Sequence, residues 1–168
     1  MRSALALALT LLLAGCASFD GRGLVLGKST GAEATALMGE PAQRLALPDG
    51  GSALYFSRLP GGRAMYVVTV GSEGVMKSIE QRMDPEVFAK VVANVWTKKE
   101  VSELLGPPGN QGRYERLKRD WWEYRYRQMP DYRVVTVQFS YDGVVREMYD
   151  MRDWEEERSG PDGASGTN

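Results

Sequence analysis

The chain has 168 residues, with 21 Lys and Arg against 22 Asp and Glu, no histidine and one cysteine. That near-neutral balance gives no sign of nucleic acid as a partner, which would want a strongly basic face. Without histidine, and with a lone cysteine, there is no Ser/His or Cys/His nucleophilic pair, no Cys-based metal site and no intrachain disulfide. Carboxylate-only or Ser/Lys chemistry is what composition leaves open, and the expectation is a non-catalytic chain with no cofactor and no metal.

Residues 1–16 read MRSALALALTLLLAGC: Arg2, then an apolar run from Ala4 to Ala14, then small residues. The run is too short for a permanent membrane span and has the layout of a cleaved signal peptide over residues 1–15. Leu13-Ala14-Gly15-Cys16 resembles the bacterial lipobox. The resemblance implies diacylglycerol on the Cys16 thiol, cleavage before it and acylation of the new amine. Two or three acyl chains anchor stably, because each buried CH₂ contributes about 0.8 kcal/mol. By the bacterial sorting rule, Ala17 in place of Asp implies the outer membrane.

Residues 16–28 read as a flexible tether, with slack supplied by Gly21, Gly23 and Gly27. The stretch GRGLVLGKST ends like a phosphate loop, but G-x-x-x-x-G-K-[ST] needs glycine where Arg22 stands. No nucleotide is expected at Gly27–Thr30, and Thr30 reads instead as a helix N-cap.

An internal repeat organises the remainder. TGAEATALMGEP (Thr30 to Pro41) and TKKEVSELLGPP (Thr97 to Pro108) share five identities at an offset of 67 residues. Thr30 with Glu33, and Thr97 with Glu100, form capping boxes, and Gly39 and Gly106 stand where a helix would end. In the first copy, strands are expected over Ala53–Ser57, Tyr66–Val70 and Val75–Glu80, with a hairpin at Glu73-Gly74. Asp84-Pro85 opens a predicted helix through Val92, with Val87, Phe88, Val91, Val92 and Val95 at helical spacing. In the second copy Trp122, Tyr124 and Tyr126 alternate with charged residues. Val135, Val137 and Phe139 follow in the next strand, and Asp142-Gly143 leads into a third, Val144–Tyr149. The expected fold is α+β: two tandem α-α-β-β-β units, residues 29–83 and 84–154, each a three-stranded antiparallel sheet with helices on one face. The first helix of the first unit is degenerate. Residues 155–168 read as a disordered tail.

A lipobox followed by repeated α-α-β-β-β units opening on T-x-x-E-V-x-x-L-L-G-x-P resembles the BamE/SmpA family of outer-membrane lipoproteins. LPDGG (Leu47 to Gly51) and ELLGPPG (Glu103 to Gly109) are typical of its tandem-repeat members. Two such units also resemble the β-lactamase-inhibitor-protein architecture. The resemblance implies an outer-membrane-anchored adaptor facing the periplasm, with envelope proteins as partners, outer-membrane assembly components among them, and anionic phospholipid headgroups within reach. The alternative is an inhibitor-like module clasping a soluble periplasmic enzyme across both sheets. The candidate contact residues for partner or headgroup are Arg113, Arg116, Arg119, Trp121, Arg125, Arg127 and Arg133. With Trp122, Tyr124 and Tyr126 turned to the helices, Glu123, Arg125, Arg127, Arg133, Thr136 and Gln138 would share an open, charged sheet face.

Overall fold

A computed structural model describes residues 19–155. Cys16, Ala17 and the tail from residue 156 onward lie outside the described residues. The protein is α+β, with two four-stranded antiparallel sheets, each a simple meander. The first unit contains α1 (Gly31–Met38) and strands β1 (Gln43–Ala46), β2 (Ser52–Ser57), β3 (Met65–Val70) and β4 (Met76–Gln81). A single helical turn, α2 (Pro85–Phe88), leads to the second unit: α3 (Lys98–Leu105), β5 (Asn110–Tyr114), β6 (Arg119–Gln128), β7 (Asp131–Ser140) and β8 (Val145–Arg152).

Both capping boxes form. The Thr30 backbone N–H donates to Glu33 at 2.7 Å and the Thr97 N–H to Glu100 at 2.7 Å, while each threonine hydroxyl accepts from the amide three residues on. The two units then repeat their backbone bonds almost one for one. Gly31 N–H donates to the Gly74 carbonyl as Lys98 does to Gly143, and β-bulges fall at Thr69/Val70 and Gln138/Phe139.

Three expectations are corrected. Each sheet has four strands, not three, because β1 and β5 are short edge strands whose polar sequences, QRLA and NQGRY, carry little periodic signal. The helix expected through Val92 stops after one turn. Valines at 91, 92 and 95 lose side-chain freedom in a helix, and Asn94 takes a positive φ of 61°. Val92 and Val95 are consequently exposed rather than part of a buried stripe.

The third correction concerns residues 19–28. They are docked onto the first unit, with Phe19 and Leu24 packed against its core. Gly27 N–H donates to Met76 O at 2.9 Å, and Met76 N–H donates back to Ser29 O at 2.8 Å. The same pair of bonds joins Asn94, Val145 and Trp96 in the second unit. The repeat therefore begins before Thr30: Gly21–Ser29 is the counterpart of Phe88–Trp96, hidden in the letters because almost none coincide.

Two cores result. Leu54, Phe56, Val68, Val70 and Met76 of the first sheet pack with Ala34 and Met38 of α1. The opposite face of that sheet, Ala53, Tyr55, Met65 and Val67, joins a larger core with Phe88, Val101, Leu105, Tyr124, Tyr126, Val135, Val137, Phe139 and Val145. The first sheet is thus buried on both faces, which is why β2 reads as an unbroken apolar run, ALYF. The second sheet is covered on one face only. As expected, Tyr124 and Tyr126 turn inward, Tyr126 meeting Phe88 edge-on at 5.1 Å.

Candidate functional site

The uncovered face of the second sheet is assembled by register. Residues 121, 123 and 125 of β6 oppose Gln138, Thr136 and Val134 of β7, which oppose Glu147, Tyr149 and Met151 of β8. On the other side, Gly112 of β5 sits opposite Trp121. A Cβ at Gly112 would come within 2.6 Å of the Trp121 ring, so only glycine lets the indole lie over the edge strand. The Trp121 ring also meets Tyr114 at 5.9 Å between centroids, and the neighbouring Tyr149 hydroxyl, together with burial, holds the Tyr114 phenol above the usual tyrosine range. Tyr114, Trp121 and Tyr149 therefore form an aromatic band across the sheet, with Val134 and Met151 beside it.

The charges around this band are paired. Arg119 donates to the Gln138 amide oxygen and to Glu147, both at 2.9 Å. Arg125 lies 2.6 Å from Glu155 and 3.5 Å from Asp153, and Asp153 also pairs with Arg63 of the first unit at 3.1 Å. Arg127, exposed at the strand end, sets its guanidinium 5.4 Å from the Tyr132 ring. A groove of 340 Å³ runs along this end of the face, between Trp121 and Trp154 and past Glu123 and Arg125.

Burial holds the Glu123 carboxyl above the usual carboxylate range, with Arg125 and Asn110 partly opposing the shift. The folded state then holds this proton more tightly than the unfolded state, so its contribution is present at low pH and is lost as pH rises through the raised value. Glu123→Gln is expected to raise the melting temperature at pH 7 and to leave it unchanged at pH 4. Thermal unfolding at both pH values checks this, and an equal effect at the two would contradict it.

The seven contact candidates separate. Trp121, Arg119, Arg125 and Arg127 share the open face. Arg116 is exposed on a 3-10 turn, Glu115–Leu117. Arg113 and Arg133 stand on the other side of the sheet by register. Arg113 pairs with Asp120 at 2.7 Å, and Arg133 pairs with Asp150 at 3.0 Å while donating to the Tyr126 hydroxyl. Hydrogen bonds from Arg113 and Lys98 hold the Asp120 carboxyl below its ordinary range. The expectation of a shared open face with Arg133 fails because the alternation of β7 puts odd and even positions on opposite faces. Thr136 and Gln138 are on the expected face, but they are buried at 2% and 5% exposure beneath longer neighbours. Sequence reasoning missed Gly112, Tyr114, Tyr149 and Asp153. The alternation of Gly112 and Tyr114 was the available signal for the first two.

Among the described residues no cluster of three or more acidic, Cys or His side chains could hold a metal ion, and no helix is long and apolar enough to cross a membrane. No family model and no curated protein matches the chain. A crystal structure of a DUF4309 family protein (YjgB) from Bacillus subtilis aligns with 78% of this chain and 82% of its own, at 15% identity and a TM-score of 0.30. That likeness is too distant to bear on function.

Proposed function

We propose that the chain is a lipid-anchored protein of the bacterial outer membrane, facing the periplasm, which works without catalysis as an adaptor for an envelope protein. The lipobox ending at Cys16 and the BamE/SmpA-like repeat support the location and the class. The observation that carries the binding role is the uncovered sheet face, where an aromatic band from Tyr114, Trp121 and Tyr149 stands among neutralised charges. Exposed aromatic and Arg-rich patches of this kind are typical of interface hot spots. The alternative of a clasp across two sheet faces is disfavoured, because the first sheet has no face left to offer.

Two experiments test this reading. Cys16→Ala should move the protein from the membrane pellet to the soluble fraction, and a variant that stays in the pellet would count against lipid anchoring. A photo-crosslinker at Met151 should capture one defined envelope protein in cells, and Trp121→Ala should abolish the adduct while the fold persists. An adduct indifferent to Trp121 would argue for another surface.

A further inference from the structure

Phe19, the first described residue, is fixed in place. Its ring packs edge-on against Tyr66 at 6.0 Å and joins the core under α1. The Arg58 guanidinium lies 4.3 Å over the same ring. Asp20, Arg58, Gly62, Arg63 and Tyr66 line an open groove of 430 Å³ around it. Arg58 is exposed and forms no ion pair among the described residues.

Cys16 precedes Phe19 by three residues. Three residues span about 11 Å at full extension, close to the roughly 10 Å spacing of two stacked sheets. The glycines that would supply slack all lie on the protein side of Phe19, and Gly27 is bonded into the first sheet. A lipid on Cys16 therefore holds the body on a short leash that emerges beside Arg58.

We propose that the Phe19–Arg58 side of the first unit lies against the bilayer, with the Arg58 guanidinium meeting lipid phosphates. This rests on lipidation at Cys16, as proposed above, and adds a fixed orientation to it. A cation that stacks on Phe19 but has no acidic partner among the described residues, exposed beside the anchor, suits an anionic surface. The structure also supplies a remote reference point. Arg63 of the groove stacks 4.5 Å over Tyr132 at the start of β7. Tyr141, just past the other end of that strand, is about 30 Å further along.

The full lipidated chain in phosphatidylethanolamine–phosphatidylglycerol vesicles provides the test. A thiol fluorophore is placed at Gly61→Cys, where a new Cβ meets open space, or at Tyr141→Cys. The acylated Cys16 thiol does not react, so each label is unique. With a headgroup-attached quencher, the Gly61 label should lose about half of its emission or more, and the Tyr141 label little, given their ~30 Å separation. Arg58→Glu should weaken the quenching at Gly61. Equal quenching at both sites, or none at Gly61, would overturn the orientation; quenching unaffected by Arg58→Glu would overturn the assignment to Arg58. Mass spectrometry of the N-terminal peptide separates the two levels. An acylated Cys16 with an unquenched Gly61 label sinks this inference alone, and an unacylated Cys16 sinks the lipid anchor with it.

Discussion

Alanine at Gly106 is expected to destabilise the protein by about 3 kcal/mol or more, against about 1–2 kcal/mol for alanine at Gly39. The two glycines end α3 and α1 with nearly the same backbone: φ 76° and ψ −168° at Gly106, φ 90° and ψ −173° at Gly39. That region is all but closed to side chains, so both changes incur strain. Only at Gly106 is there also a collision. A Cβ there would lie 2.8 Å from Tyr55 Cδ1, 3.0 Å from Met65 Cε and 3.1 Å from Met65 Sδ, whereas at Gly39 it meets nothing within 4 Å. The neighbours cannot easily yield. The Tyr55 hydroxyl donates to the Glu103 carbonyl at 2.5 Å, and the buried Tyr124 hydroxyl donates to the Gly106 carbonyl itself. Urea denaturation of the two variants measures the difference, which for a chain of this size corresponds to about 2–4 °C in melting temperature per kcal/mol. Equal losses would mean that the end of α3 is not pressed between the sheets.

Asp153→Ala should cost about 3 kcal/mol. Its side chain is 4% exposed, and its partners Arg63 and Arg125 are 13% and 18% exposed. Removing the carboxylate takes a nearly buried counter-charge from two partly desolvated guanidinium groups, of which Arg125 keeps Glu155 at 2.6 Å, and that loss makes the single substitution expensive. Combining Asp153→Ala with Arg63→Met should therefore lose less than the sum of the two single changes. A coupling of about 1–3 kcal/mol in a double-mutant cycle is expected for residues in one network. Strict additivity would show that the bridge between the units contributes nothing beyond its separate side chains.

What the sequence revealed, and what it concealed, follows from the range of each signal. The capping boxes at Thr30 and Thr97 and the alternation of Trp122, Tyr124 and Tyr126 are local patterns, and the structure contains them. The edge strands β1 and β5 are held by pairing with a neighbour rather than by their own apolar periodicity, so QRLA and NQGRY read as loop. The docking of Gly21–Ser29 was hidden for a related reason. What it shares with Phe88–Trp96 is a hydrogen-bond frame, with Gly27 and Asn94 both at positive φ, and side-chain letters do not record such a frame. The Arg63–Asp153 bridge joins residues 90 positions apart. No short-range pattern could show that Arg125 is held by a carboxylate from beyond β8.

The coverage of the sheets has a consequence in terms of repeat stacking. The register carries Ala53, Tyr55 and Val67 of the first sheet onto Trp121, Glu123 and Thr136 of the second. The first three are buried because the next unit leans on them; among the described residues no further unit covers the second three. In a solenoid, a terminal repeat exchanges apolar contacts for polar ones on its outer surface, and Tyr55 to Glu123 and Val67 to Thr136 are exchanges of that kind. Ala53 to Trp121 runs the other way. The outer face of the second sheet thus lacks the apolar surface on which another copy of this unit would stack, while Trp121 sets one large aromatic into the same surface.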